Sequence, residues 1–187
     1  TASHLLKRVC FGFTRDDLSQ AISLGLDKLV EKLLEVQPLV GEPVYIYKDD
    51  APLPFGEPFY NKNPDSKYYG RMIASHLGWW MGQILITNLS ITQKMMLFWR
   101  NHFAIETSAI GDAYHFLSYF ELLHKNALGN CKTIAEEITI NPAMLVYLNG
   151  NTNVVGKPNE NYARELFELF TIGKGPQIGE GNYTNYT

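Results

Sequence analysis

Six of the nine prolines, Pro38, Pro43, Pro52, Pro54, Pro58 and Pro64, fall within one stretch of the chain. Proline lacks a backbone N–H and has a fixed φ, so neither a helix interior nor a central strand tolerates that density. The interval from Gln37 to Asp65, which also holds several glycines and asparagines, is therefore expected to be a long irregular excursion. Within it only Val44-Tyr45-Ile46-Tyr47 reads as a short strand. Loops of that length are usually functional or mobile.

Outside this interval the punctuation is helical. Thr14 with Asp17 forms a variant capping box ahead of Leu18, Ile22 and Leu26, and Gly25 breaks that helix. Leu26 to Val36 follows as a second helix with Leu29, Val30, Leu33 and Leu34 inward. Ser66 to about Thr87 places Tyr69, Met72, Ile73, His76, Trp80 and Ile84 on one stripe, while Gly78 and Gly82 would admit another helix closely. Ser90 with Gln93 is a full capping box for an apolar helix running to about Phe103. Further helices fit Asp112 to Ala127, a segment begun by the Thr133/Glu136 box, and Ala143 to Leu148 after Asn141-Pro142. Pro158-Asn159 opens the last helix, Gly173 ends it, and Lys174 to Thr187 has no helical period. The fold class expected is all-α: one domain over 1–187, an irregular multi-helix bundle carrying the Pro-rich and aromatic-rich loop of residues 37–65.

Several function classes are excluded or left without support. Sixteen Lys and Arg against nineteen Asp and Glu give a net charge of −3, which argues against a general nucleic-acid binder. No formal charge occurs between Met72 and Gln93, but polar residues such as His76, Gln83 and Asn88 interrupt the run. A membrane span needs about twenty predominantly apolar residues, so none is expected here. Cys10 and Cys131 lie far apart without metal-ligand spacing; one bridge between them and two separate buried thiols both stay open. No phosphate loop, dinucleotide fingerprint, zinc-protease helix or nucleophile elbow is present. The start at Thr1, without a Met, a basic segment or an apolar stretch, suggests a trimmed chain.

Chemistry is most legible near the end. At helical spacing Asn161, Glu165 and Glu168 share a stripe with Arg164 beside it, opposite Ala163, Leu166, Phe167 and Phe170. Two carboxylates so spaced, with an amide and a guanidinium alongside, can hold a divalent cation or an acid/base pair. The competing reading is a solvated face with Glu160–Arg164 and Arg164–Glu168 pairs. His102 falls on the stripe of Ile91, Met95 and Phe98 and is expected to face inward, as a satisfied core histidine or as a proton-transfer group. His76 reads as a core histidine, and His115 and His124 are too isolated for a metal pair.

Three segments together resemble one bacterial family, catalogued as domain of unknown function 1800. They are Ala2-Ser3-His4-Leu5-Leu6-Lys7-Arg8 running to Phe11-Gly12-Phe13-Thr14; Met95-Met96-Leu97-Phe98-Trp99-Arg100-Asn101-His102-Phe103; and the long run from Pro158 to Gly175 that contains Glu160-Asn161-Tyr162-Ala163-Arg164-Glu165-Leu166-Phe167-Glu168. Arg100 stands where a His is common in the family, and Asn185 where a Glu is expected after Tyr183-Thr184. The resemblance brings no established activity. It implies an exported, extracytoplasmic protein, a co-encoded sulfatase-like partner, and a longer chain of which this is the N-terminal part. It also places Asn101, His102, Asn159, Glu160, Asn161, Arg164, Glu165 and Glu168 at motif positions, as a buried polar network or a site would require.

Two functions follow as expectations. One is a binding or assembly module of an exported bacterial protein, its contact surface supplied by Tyr45, Tyr47, Phe55, Phe59 and Tyr60, with a glycan or a protein as partner. The other is a hydrolase of an envelope or extracellular polymer. There His102, Arg164, Glu165 and Glu168 would act as the catalytic groups, Asn101, Asn159, Glu160 and Asn161 would bind, and a divalent metal is possible.

Overall fold

The computed structural model describes residues 1–48, 52–60, 62 and 64–185; within the Pro-rich interval, residues 49–51, 61 and 63 therefore lie outside the described residues, as does the end at Thr187. The chain is mostly helical. Helices α1 (Ala2–Val9), α2 (Arg15–Leu24) and α3 (Leu26–Leu33) precede the Pro-rich interval. A short 3₁₀ turn, Ser66–Tyr68, leads into α4 (Tyr69–Ile86), followed by α5 (Thr92–His102), α6 (Thr107–Ile110), α7 (Ala113–Lys125), α8 (Cys131–Thr139) and α9 (Pro142–Tyr147). The last helix, α10 (Glu160–Glu165), continues as a π-helical turn, Leu166–Phe170. Residues Gln177–Gly179 and Asn182–Tyr183 then pair as a small antiparallel hairpin, a departure from a purely helical reading.

Most helix starts are where side-chain chemistry puts them. Thr14 and Asp17 form the reciprocal capping box of α2. Asp112 caps α7, Asn141 with Pro142 opens α9, and Asn159 caps α10. Two expected boxes are different. Asn130, not Thr133, caps α8, so that helix begins three residues earlier. Ser90 accepts from the Thr92 N–H at 3.1 Å, but Gln93 does not reach back to close the box. Its side chain accepts from the Trp80 indole N–H at 2.8 Å instead, in a buried contact. A buried indole donor left without a partner carries the full desolvation cost, which the Gln93 side chain removes.

Apolar burial is divided between two clusters. The smaller comprises Leu6, Cys10, Ala21, Leu29, Leu33 and Leu89. Only the Leu29 and Leu33 line of α3 turns inward; Val30 and Leu34 are exposed, continuing an outward line with Ile22 and Leu26. The larger core is built from α4, α5, α7, α8, α9 and the last helix, around Met72, Trp80, Met96, Phe103, Phe116 and Phe120. The two are joined by the Ile91 N–H donating to the Leu33 carbonyl, and by the Lys94 ammonium donating to the Arg8 and Cys10 carbonyls at 2.9 and 3.1 Å. Neither cysteine is bridged: Cys10 is buried and Cys131 is exposed, so only one of the two thiols is a core residue.

The described part of the Pro-rich interval is held by its own large side chains. Tyr45, Leu53 and Phe59 are fully buried in the main core, which removes Tyr45 and Phe59 from any contact surface. Val44 forms one isolated bridge to Pro58 rather than a strand. Gly78 faces Ile46 of this interval at ordinary contact distance and Gly82 faces open space, so no helix packs on either glycine.

Candidate functional site

The motif residues of the last helix satisfy one another. Asn159 accepts from the Tyr162 N–H and donates to the Asn149 carbonyl at 2.8 Å. The Arg164 guanidinium donates to Asn161 at 2.5 Å and to the Glu165 carboxylate at 3.3 Å. Glu168 forms an ion pair with Lys174. Glu160, Asn161 and Arg164 are exposed, whereas Glu165 and Glu168 are half-buried. The expected stripe is lost because the backbone widens into the π-turn after Glu165, where each residue advances less around the axis. The buried line is accordingly Tyr162, Leu166 and Phe170, four residues apart, while Ala163 and Phe167 face outward.

His102 does not face inward; it is exposed at the end of α5. Its Nε2 lies 2.8 Å from the Phe170 carbonyl, to which it donates, and its ring meets Phe103 edge-on. This bond ties α5 to the end of the π-turn, where carbonyls lack helical partners. Asn101 beside it is exposed. Among the described residues no hydrogen bond or ion pair joins His102 to Glu165, and no three His, Cys, Asp or Glu side chains converge as a metal centre would need.

The more distinctive site lies elsewhere, where residues 39–43 pack across α4 and α7. Gln83, buried on α4, accepts from the Val40 N–H at 2.8 Å and donates to the Val40 carbonyl at 2.9 Å. The Trp79 indole donates to that same carbonyl at 3.2 Å. At the edge of this segment, His124 Nε2 donates to the Gln37 carbonyl at 3.2 Å. The result is a cleft of about 290 Å³ between the pinned segment and the two helices, lined by Leu39, Glu42, Pro43, Tyr60, His76, Trp79, Leu117, Phe120 and Glu121. Replacing Gln83 with Leu removes both of its bonds to Val40, and a typical intramolecular hydrogen bond contributes about 1 kcal/mol. A matching fall in urea stability, with faster amide exchange at Val40, is the expected result.

His76 is the chemical centre of this cleft. Its side chain is fully buried. Nδ1 lies 2.6 Å from the Tyr60 hydroxyl, whereas Nε2, itself without accessible surface, has no hydrogen-bond partner among the described residues. A phenol carries a donor O–H, and no other described residue accepts from Tyr60, so its O–H is assigned to Nδ1; the reverse assignment would orphan two groups. The neutral ring then carries its proton on Nε2. Phe116 and Phe120 meet the imidazole in T-shaped contacts, with centroids at 5.3 and 4.3 Å, and an aromatic face is at most a weak acceptor. Burial pushes the His76 pKa down to about 4, so the ring is neutral at ordinary pH. Burial also raises the Tyr60 hydroxyl far above its ordinary value, reinforced by the nearby Glu121 carboxylate and Tyr114.

Sequence reasoning passed over His76 because it sits on an aromatic stripe, the pattern of a core histidine. The available signal was its place in the chain: it lies within the uncharged run from Met72 to Gln93. Its contact with Tyr60 depends on how the Pro-rich interval folds back, which periodicity does not encode.

A family model described as "Protein of unknown function (DUF1800)" matches residues 4–187, and so covers both the cleft and the last helix. No curated protein and no solved structure matches the chain.

Proposed function

Since the chain belongs to the DUF1800 family of proteins of unknown function, we propose that it is a binding module, with the His76 cleft as its ligand seat, within the exported bacterial protein that the family resemblance implies. The Pro-rich excursion serves in this reading as the outer wall of that seat. The observation that carries it is the cleft itself, about 290 Å³ between the pinned segment and α4 and α7, with Trp79 half-buried and Glu42 and Glu121 exposed along it. A concave site with aromatic side chains and a few polar groups is the usual form of a ligand seat.

The same residues favour binding over catalysis. An imidazole with its pKa near 4 is a weak base at neutral pH. Tyr60 holds its proton too tightly to act as a nucleophile. The described residues lining the cleft include no Ser, Thr, Cys or Lys. The extracytoplasmic setting and a sulfatase-like partner belong to the proposal as the family resemblance implies them. The contacts of His102, Arg164, Glu165 and Glu168 support an architectural part for the motif cluster, joining α5 to the last helix.

A small-fragment screen observed by NMR tests the reading. Bound fragments are expected to shift the Trp79 indole and His76 ring signals. Leu117→Trp, which fills the cleft from α7, is expected to abolish those shifts while preserving the helical spectrum. Fragments that bind only elsewhere, or binding unaffected by Leu117→Trp, would overturn it.

A further inference from the structure

We infer that the cleft selects an organic cation, an ammonium or guanidinium head group, an inference that rests on the cleft being a ligand seat. The hydrogen-bond inventory of its described lining side chains carries it. The Trp79 indole N–H is already spent on the Val40 carbonyl, the Tyr60 hydroxyl donates to His76 Nδ1, and His76 Nε2 has no accessible surface. No other lining side chain carries a donor. What the side chains leave open to a ligand is two carboxylates, Glu42 on the pinned segment and Glu121 on α7, both exposed. Among the described residues neither has an ion pair or a hydrogen bond. Burial first, and then the Glu121 charge, raise the Tyr60 hydroxyl, which puts that carboxylate beside the cleft.

A ligand seated here must therefore donate. An anion brings acceptors to acceptors and is repelled by both glutamates, with no lysine or arginine among the described lining residues to offset them. A neutral hydroxyl can donate, but it gains no Coulomb attraction between opposite charges. Ammonium and guanidinium groups are donor-only and positive, so they match both the hydrogen-bond inventory and the charge. The half-buried Trp79 ring adds aromatic surface, over which a cation is attracted by the ring quadrupole. The volume of about 290 Å³ is at the small end for ligand sites, which suits one head group. The net charge of −3 favours the approach of the same class.

Probes of similar size and different charge test this: n-butylammonium and n-butylguanidinium against neutral 1-butanol and anionic butyrate, each titrated while the Trp79 indole signal is followed by NMR. At least one cation is expected to bind about tenfold more tightly than 1-butanol, and butyrate not to bind. Raising sodium chloride from about 0.02 to about 0.5 M is expected to weaken the cation several-fold and to leave 1-butanol unchanged. The double variant Glu42→Gln/Glu121→Gln, two exposed and size-conserving changes, is expected to bring the cation down to the affinity of 1-butanol with the helical spectrum preserved. Binding of 1-butanol as tight as that of the cations, or cation binding unchanged in the double variant, overturns the charge class. If fragments still occupy the cleft in that case, the binding reading stands and only the cation falls. If neither cations nor fragments bind, both fall together.

Discussion

Tyr162→Ala is expected to lower the unfolding free energy by about 3 kcal/mol, the lower part of the range for truncating a large buried aromatic, and to release the last helix from the body of the protein. Tyr162 is nearly buried. Its hydroxyl donates to the Thr139 carbonyl at the end of α8. Its ring covers Gly150 so closely that a Cβ built there would lie 2.7 Å from the ring and 2.9 Å from Leu145. Leu166 and Phe170 follow on the same buried line, so Tyr162 is the first of three anchors. Tyr162→Phe keeps the packing and is expected to cost about 1 kcal/mol for the lost hydrogen bond. Gly150→Ala is expected to cost about 1–3 kcal/mol by overpacking. Combined with Tyr162→Ala it should cost less than the sum, because of the two groups it collides with the ring has gone and only the Leu145 side-chain end remains. Urea unfolding of the four variants checks these values, and trypsin cleavage at Arg164 reports release of the helix. Equal losses for Tyr162→Phe and Tyr162→Ala would show that the ring itself anchors nothing.

Acidification from pH 7 to 4.5 is expected to remove about 2–3 kcal/mol of stability through His76 alone. The sign follows from proton uptake. The unfolded imidazole titrates near 6.5 and the folded one near 4, so between those values the unfolded state holds the extra proton. Stability from this group is fully present above pH 6.5 and is lost as pH falls toward 4. His124, whose pKa burial also lowers, adds a change of the same sign. Other carboxylates titrate over this range too, so the diagnostic quantity is the difference between the parent and His76→Phe. The variant is expected to lose its share of the acid slope, even if it is less stable at pH 7. Parallel slopes for the two proteins would contradict the burial of a neutral ring.

Much of the helical order was readable because capping is a local event. Thr14/Asp17, Asn141-Pro142 and Asn159 act within three residues of themselves, and each sits where its chemistry places it. Gln93 shows where local reasoning stops: a distant indole outbid the helix end for its side chain. His102 is exposed because α5 turns the Phe98 and His102 line outward and buries Thr92 and Met96 instead, whereas the rotated Glu168 has a different cause, a backbone that leaves the α-helical repeat, which no hydrophobic pattern announces. The cleft was hidden for another reason. Val40, Tyr60, His76 and Glu121 meet only through the tertiary path of a proline-rich segment, held by side chains rather than by any repeating backbone ladder.

The division of apolar burial into two clusters sets how the molecule comes apart. Leu6, Cys10, Ala21, Leu29, Leu33 and Leu89 form a cluster of their own, joined to the larger core by hydrogen bonds from Ile91 and Lys94. Amides of α1 to α3 are therefore expected to exchange through sub-global opening, while those of α4 and α7 wait for global unfolding.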